Sequence, residues 1–273
     1  MKERRFTEAS DFLKGILEPG FDKDYFVQWQ TRYATILSLI PGANQKLCVL
    51  DIGSGFGHLS ILIKRIFDYE VYAIDRYSTW EERFRKAGIE FNLCELTTQS
   101  LPAGENCFDI VLFSEVIEHL FVLPHRILFD IHRVLKPHGL LILTTENLYS
   151  LLKRIRFLLG KRIIPRLSAR GDEGIDPKSI SDYGELHSLI QARLAKRGEF
   201  GGNNLKEYDV NELRSLLEET GFKIILERCL QEGYILRGPD GTVDLNPLHV
   251  MYRAIAKAYG SWGNQIYIVG QKG

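Results

Sequence analysis

Short apolar runs alternate with amphipathic stretches through the middle of this chain. Apolar runs of strand length lie at residues 47–52, 71–75, 89–94, 108–114 and 140–145. Apolar residues recur at helical spacing within 24–40, 56–67 and 124–135. Strands that alternate with helices form a parallel sheet covered on both faces. The pattern therefore predicts one α/β unit with a doubly wound sheet.

The C-terminal part of the chain continues this pattern. Asp209 is placed to cap a helix through residue 220, because Glu212 follows three residues later and Gly221 stops the helical spacing. Residues 222–228 and 265–271 are predicted to be the last two strands. Before the first strand, residues 1–44 are predicted to form a helical cover whose apolar stripe packs on the core.

A glycine-rich turn follows the first strand. Gly53, Gly55 and Gly57 allow backbone conformations closed to other residues and a close approach to a ligand. The dinucleotide fingerprint needs a third glycine at position 58, which is His58 here. The spacing is therefore GxGxG, which makes a nicotinamide or flavin enzyme a weaker interpretation.

With Asp51 in front of these glycines, the chain resembles the class I S-adenosylmethionine-dependent methyltransferases. Asp75 ends the second strand 24 residues after Asp51, where a carboxylate accepts hydrogen bonds from ribose hydroxyls. The resemblance implies a Rossmann-like seven-stranded sheet, mostly parallel with an antiparallel last strand. It also implies S-adenosyl-L-methionine as cofactor.

The resemblance places an acidic residue near the adenine after the third strand, so Glu95 and Leu96 are expected to frame that base. The fourth strand and its continuation through Leu120 resemble the motif that lines the reactive side of the cofactor. The predicted cofactor-binding residues are Asp51, Gly53, Ser54, Gly55, Gly57, Asp75, Arg76, Glu95, Leu96, Ser114 and Glu115.

Methyl transfer to a hydroxyl requires an aligned acceptor and a base that removes its proton. His119, which is expected to begin a helix after the fourth strand, is the predicted base, because imidazole titrates near neutral pH. Glu118 shares its turn and is the second predicted catalytic residue. A histidine that only packs or caps this helix is the equal alternative for His119. The predicted substrate contacts are Glu146, Asn147, His187 and Tyr208.

A metal-dependent alternative starts from the same turn. Glu115, Glu118 and His119 resemble the ExxEH element of small-RNA 3′-terminal 2′-O-methyltransferases, and His187 could add a ligand. That family's later histidine-rich element is not matched, and the chain has no basic excess for nucleic acid, with 35 basic and 35 acidic residues. We therefore predict no metal and no nucleic-acid partner.

Residues 147–206 are long for a connection inside a compact domain, and such insertions are usually functional or disordered. They leave the fifth strand at the sheet edge where ligands bind, so they form the predicted substrate lid. Residues 151–170 contain seven basic residues and no acidic one. This stretch is interpreted as a contact for an anionic or lipid-linked substrate, as a peripheral membrane attachment, or as an ordinary solvated helix face.

Composition and length predict where the protein is located and how the chain is divided. Four scattered cysteines without metal spacing, no leader and no apolar run of membrane-spanning length predict a soluble cytoplasmic protein. We expect a single domain, divided into a cover (1–44), a cofactor-binding core (45–146), the lid (147–206) and the rest of the sheet (207–273). The oligomeric state is left open.

The predicted function is S-adenosylmethionine-dependent methylation of a hydroxyl on a small or carrier-linked molecule. The order of motifs is similar to that in methyltransferases of glycan, lipid, quinone and natural-product pathways. A protein of the same fold that binds S-adenosylmethionine or a partner without catalysis is the second class of hypothesis.

Overall fold

The computed structural model describes residues 2–17, 20–120, 123–160, 206–232 and 259–273. Seven strands form one sheet. The strands are β1 (Cys48–Ile52), β2 (Glu70–Asp75), β3 (Glu90–Leu93), β4 (Phe108–Ser114), β5 (Leu135–Glu146), β6 (Phe222–Leu230) and β7 (Gln265–Lys272). All seven predicted strands are confirmed.

Helices cover both faces of the sheet. The described helices are α1 (Lys2–Ile16), α2 (Phe21–Leu39), α3 (His58–Phe67), α4 (Glu81–Lys86), α5 (Pro124–Val134), α6 (Leu151–Leu158) and α7 (Val210–Glu219). Two apolar cores result: one joins α1, α2 and α3 to the sheet, and the other joins α5 and α7 to its opposite face. None of the helices described here is long and apolar enough to cross a membrane.

The sheet runs in the order β3-β2-β1-β4-β5-β7-β6. Its first five strands are parallel, while β7 is antiparallel to both neighbours, β5 and β6. The predicted Rossmann-like arrangement with an antiparallel last strand is therefore confirmed. Because β1 lies between β2 and β4, the strand order reverses beside it, and ligands of open α/β sheets bind at such a point.

Residues 136–139, with the turn-like sequence Lys-Pro-His-Gly, interrupt the regular pairing of the fifth strand. These residues belong to β5, which begins at Leu135, and the pairing with β4 breaks between Phe108 and Ile110. His138 takes up the irregularity with a left-handed φ of 62°. Lys136 Nζ donates to Asp109 Oδ2 at 2.8 Å, which ties this irregular stretch to β4.

Two helix starts show how capping sets an element's limits. The Asp209 carboxylate accepts hydrogen bonds from the backbone N–H groups of Asn211 at 2.8 Å and Glu212 at 3.2 Å, which confirms the predicted cap of α7. In contrast, α3 begins two residues later than predicted, at His58, because Gly57 before it is left-handed.

Candidate active site

The glycine turn closes the carboxyl end of β1. Gly53 and Gly55 have φ values of 70° and 50°, a region that residues with a Cβ rarely adopt. A Cβ on Gly53 would lie 2.4 Å from Val116 Cγ2, whereas a Cβ on Gly55 would meet nothing within 4 Å. Gly53 is therefore required by packing, while Gly55 faces open space where a ligand can approach the backbone.

That space is a cleft at the reversal of strand order, between the carboxyl ends of β1, β2 and β4. Its volume of about 280 Å³ is near the lower end of the range for small-ligand pockets. All but one of the predicted cofactor-binding residues line it; Gly57, at the foot of α3, is the exception. The lining members are Asp51, Gly53, Ser54, Gly55, Asp75, Arg76, Glu95, Leu96, Ser114 and Glu115.

Asp75 clasps the glycine turn from the end of β2. Its Oδ2 accepts the backbone N–H of Gly55 at 2.8 Å, and its Oδ1 accepts that of Tyr77 at 3.0 Å. Burial raises the pKa of Asp75, and these backbone donors oppose the rise. Each carboxylate oxygen keeps a second lone pair, so the group can accept ribose hydroxyls while it holds the turn.

Asp51 lies deeper, under the turn. Its side chain is buried and accepts the Ser60 hydroxyl from α3 at 2.5 Å. Desolvation raises the pKa of Asp51 to about 7, with a smaller contribution from the charge on Asp75. Asp51 therefore joins β1 to α3 at the floor of the cleft.

One end of the cleft is a slot with polar and apolar walls. Arg76 Nη2 lies 3.2 Å from Glu95 Oε2, while Thr97 donates its N–H and its hydroxyl to Glu95 Oε1 at 3.1 and 2.7 Å. Leu96 and Ile74, both buried, supply the apolar wall. A planar nucleobase, with apolar faces and hydrogen-bonding edges, fits these polar and apolar walls.

The other end of the cleft is organised by Glu115. This residue has a left-handed φ of 57°, a conformation that costs of order 1–3 kcal/mol and persists only where surrounding contacts hold it. Thr144 and Gln265 donate to its two carboxylate oxygens at 2.9 and 2.7 Å. Arg32 Nη1 completes the group at 3.0 Å from Oε2.

Arg32 is the main site residue that the sequence reasoning missed. Its guanidinium is buried, lies 4.3 Å from the ring centroid of Trp29 and donates to the Tyr25 hydroxyl at 3.1 Å. Among the described residues, its Nε has no hydrogen-bond partner. A signal existed: Arg32 lies three residues after Trp29 and four before Ile36, inside the apolar stripe, so a charge on that face required a buried partner.

His58 links the cover to the glycine turn. Its Nε2 is 2.7 Å from Asp22 Oδ1, and its Nδ1 is 3.2 Å from the Tyr33 hydroxyl. Burial lowers the pKa of His58 and favours the neutral ring, which can donate to Asp22 and accept from Tyr33. Arg83 adds a second bond to Asp22, at 2.5 Å. The residue that replaces the third glycine therefore fastens α2 to α3.

The two predicted catalytic residues face different surroundings. Ile117–His119 form a single 3-10 turn, so the helix expected to begin at His119 is absent there. His119 lines the cleft. Glu118 is buried outside it, and desolvation, reinforced by the charge of Glu115, raises the pKa of Glu118. The geometry favours His119 for contact with a reacting group.

The predicted substrate contacts lie behind this cleft or outside the described residues. Glu146 pairs with Lys153 of α6 at 3.2 Å, and the Asn147 amide donates to the carbonyls of Ser261 and Gly263. Tyr208 is fully buried beside Asn147, to which it is bridged. None of Glu146, Asn147 and Tyr208 lines the cofactor cleft, and their substrate role stays a prediction.

His187 and most of the predicted lid (161–205) lie outside the described residues. Within the described ranges, no three side chains of His, Cys, Asp or Glu form a group that could hold a metal ion. Glu115, the first residue of the ExxEH element, is engaged by Arg32 and Gln265, and Glu118 lies outside the cleft.

This chain is similar in sequence to known methyltransferases. Residues 50–143 match the methyltransferase domain model. The chain is 31% identical over 162 residues to the ubiquinone biosynthesis O-methyltransferase of Caulobacter vibrioides, which covers 57% of this chain and 62% of that protein. It is 30% identical over 129 residues to a ubiquinone/menaquinone biosynthesis C-methyltransferase of Blochmanniella pennsylvanica, covering 44% of this chain and 50% of the relative.

A solved S-adenosylmethionine-dependent methyltransferase from Archaeoglobus fulgidus has the same fold, with a TM-score of 0.55 and 18% identity over 89% of this chain and 94% of that one. The fold is Rossmann-like, and its cleft lies at the switch point of the sheet, where open α/β sheets bind their ligands. Residues 50–143 are a methyltransferase domain, and the fold around them is that of S-adenosylmethionine-dependent methyltransferases, in agreement with the sequence resemblance. It spans about half the length of the curated relatives that it matches.

Proposed function

We propose that the chain binds S-adenosyl-L-methionine and transfers its methyl group to a hydroxyl of a small or carrier-linked molecule. A quinone-type aromatic is the substrate class to test first. One observation carries the proposal: the open face of Gly55, the Asp75 carboxylate and the His119 imidazole lie along a single cleft. The relatives that act in quinone biosynthesis support the substrate class.

The residues of the cleft fit each part of this cofactor. Asp75 would hold the ribose, and Leu96 and Glu95 would bound the adenine. At the other end, the Arg32 guanidinium is a buried cation suited to the carboxylate of the amino-acid portion. The bound cofactor supplies an electrophilic methyl group on a sulfonium.

The side chains of the protein must align the acceptor and remove its proton. The acceptor hydroxyl must lie in line behind the methyl group, and its proton must leave. His119, which lines the cleft together with Glu115, would take that proton. Tyr33 of α2 and Phe56 of the glycine turn are buried aromatic residues that line the cleft and would exclude water from it.

The direct test is methyl transfer from isotope-labelled S-adenosylmethionine to a panel of acceptors. The panel contains a hydroxylated, prenylated quinol, its hydroxyl-blocked analogue, a primary amine and a short RNA. We expect mass spectrometry to locate the label on the quinol oxygen and to find none on the blocked analogue. Label on a ring carbon, on nitrogen or on RNA would refute O-methylation.

The same assay repeated with EDTA distinguishes the proposed reaction from the metal-dependent alternative. The proposed reaction should proceed unchanged in EDTA. Cofactor binding without transfer to any acceptor in the panel or in fractionated cell extract would instead favour the non-catalytic alternative. Cytoplasmic location stays a prediction, to be tested by fractionation of cells that produce the protein.

A further inference from the structure

Glu232, which follows β6, is a buried acid that the cleft does not use directly. The residue is 2% exposed and does not line the cleft. Asn264 fixes its backbone: the Asn264 Oδ1 accepts the Glu232 N–H at 2.6 Å, and the Asn264 amide donates to the Glu232 carbonyl at 2.7 Å. The carboxyl group is thereby held against α2, where Oε1 lies 2.7 Å from Thr35 Oγ1.

The surroundings of the Thr35 hydroxyl favour a protonated Glu232. Thr35 Oγ1 lies 2.9 Å from the Thr31 carbonyl oxygen as well as 2.7 Å from Glu232 Oε1. A hydroxyl has one hydrogen to donate, and a carbonyl oxygen can only accept. Both contacts are complete hydrogen bonds if Thr35 donates to Thr31 and a protonated Glu232 donates to Thr35. In the described part of the chain, Glu232 Oε2 is buried with no hydrogen-bond partner, which is costly for an ionised carboxylate.

The charges around Glu232 connect it to the cleft. Among the described residues, the charged groups that act on it are Arg32 of α2 and Glu115 at the end of β4, and Tyr267 of β7 is its titratable neighbour. Burial raises the pKa of Glu232, and the charge on Glu115 adds to the rise, whereas Arg32 and Tyr267 oppose it. The neutral form therefore persists above the pH at which an ordinary glutamate ionises.

Arg32 keeps a donor for a ligand. Its Nη1 lies 3.0 Å from Glu115 Oε2, and its Nη2 donates to the Tyr25 hydroxyl at 3.1 Å, while its buried Nε has no hydrogen-bond partner within the described residues. The carboxylate of the cofactor would be the second anion on this one cation. An ionised Glu232 would be a third anion near the same charge, and mutual repulsion would weaken the hold on the ligand.

We propose that Glu232 is a positioning residue for the cofactor, which acts through Arg32. In its neutral form it leaves the Arg32 charge to the carboxylate of S-adenosylmethionine, and in its ionised form it competes for that charge. This inference rests on the proposed function, because it assumes that the cofactor places its carboxylate on Arg32. It predicts that cofactor affinity is highest at low pH and falls as Glu232 ionises.

The test is calorimetric titration of the purified full chain with S-adenosylmethionine at pH steps from about 5 to about 9. Glu232→Gln cannot ionise, so its dissociation constant should equal that of the parent near pH 5 and should be about tenfold lower than that of the parent near pH 9. Ionisation of the ligand itself affects both proteins and cancels in this comparison. Glu232→Met, which also cannot ionise, should give the same divergence and serves as an independent second variant.

The matched control is Glu207→Gln. Glu207 is also buried, and burial also raises its pKa, but its carboxylate pairs with Lys153 of α6 and it does not line the cleft. Its affinity should follow that of the parent at every pH. Parallel pH curves for the parent and the two Glu232 variants would overturn the role of Glu232, and so would weaker binding by those variants at pH 5. No binding by the parent at any pH would refute the cofactor assignment itself, and this inference with it.

Discussion

The end of β2 and the end of β4 present carboxylates to the same cleft, Asp75 beside the glycine turn and Glu115 opposite it, but the two regions are built differently. Asp75 is held by backbone N–H groups of Gly55 and Tyr77, close to it in the chain or on the next strand. Glu115 is held by side chains from α2, β5 and β7: Arg32, Thr144 and Gln265. The first site is local, whereas the second needs the complete fold.

This difference predicts how each region responds to change. A substitution in the turn should act mainly on ligand binding, because few distant groups depend on it. A substitution around Glu115 should act on stability as well, because a buried charge would lose its partners. Four experiments test the contrast, in order of expected size.

The largest effect is expected for Arg32→Met, which removes a buried cation and leaves the half-buried Glu115 carboxylate without it. The free energy of unfolding should fall by about 3–5 kcal/mol, as for other broken buried pairs. The double variant Arg32→Met/Glu115→Gln should recover part of that loss. Arg85→Met, whose exposed partner is Glu82 on the same helix, should leave stability nearly unchanged. Equal effects of Arg32→Met and Arg85→Met in urea unfolding would contradict the assembled character of this region.

Gly55→Val should weaken S-adenosylmethionine binding about 100-fold or more, because the new side chain enters the open face of the turn. Gly88→Val is its matched control. Gly88 has a φ of 68°, and a Cβ there also meets nothing within 4 Å, but Gly88 does not line the cleft. Both variants should lose similar stability from backbone strain. Calorimetry that shows the same affinity loss for both would refute the assignment of Gly55.

His119→Ala should lower kcat by the order of 100-fold while cofactor affinity stays near that of the parent. Glu118→Gln tests its neighbour. Because Glu118 lies outside the cleft and burial raises its pKa, which favours the neutral carboxyl, the amide is a close substitute and turnover should change by less than about threefold. A loss equal to that of His119→Ala would place Glu118 in the chemistry. An unchanged kcat for His119→Ala would reduce His119 to packing.

The smallest effect concerns Asp51, whose pKa is raised by burial to about 7. A carboxyl with a raised pKa stabilises the fold fully below its unfolded pKa, and this contribution is lost as pH rises through the folded pKa. Asp51→Asn should therefore gain stability relative to the parent as pH rises from about 4 to about 7 and should keep that gain at higher pH. Urea unfolding across this range checks it; a pH-independent difference would mean that Asp51 is ionised throughout.

The local region could be predicted from sequence because its determinants are contiguous. Alternate glycines, an acid before them and an acid at the end of the next strand each have a meaning in the spacing alone. The positions of all seven strands along the chain follow from the same kind of signal, because each apolar run is bounded by turn residues. The cap at Asp209 is equally local.

The region around Glu115 could not be predicted in this way, because its contacts join distant parts of the chain. Arg32 and Glu115 meet only when α2 packs across the end of β4, and Glu115 and Gln265 are 150 residues apart. The short helix α4 carries too few residues for a periodic signal. Lys136 to Gly139 has the composition of a turn, yet it lies within β5 as an irregular stretch that the pairing with β4 skips, from Leu135 to Leu140.

The position of β7 has a consequence for the order in which the protein is made. β6 leaves the ribosome before β7, yet within the described sheet its hydrogen-bond partner is β7, which lies between β6 and β5. Until residues 265–272 emerge, the outer edge of β5 stays unpaired, and β6 has no strand to join. Gln265 of this same late strand supplies a hydrogen bond to Glu115. A nascent chain can thus form the glycine turn before the part of the cleft around Glu115 is complete. That part is finished only when β7 pairs with β5 and β6.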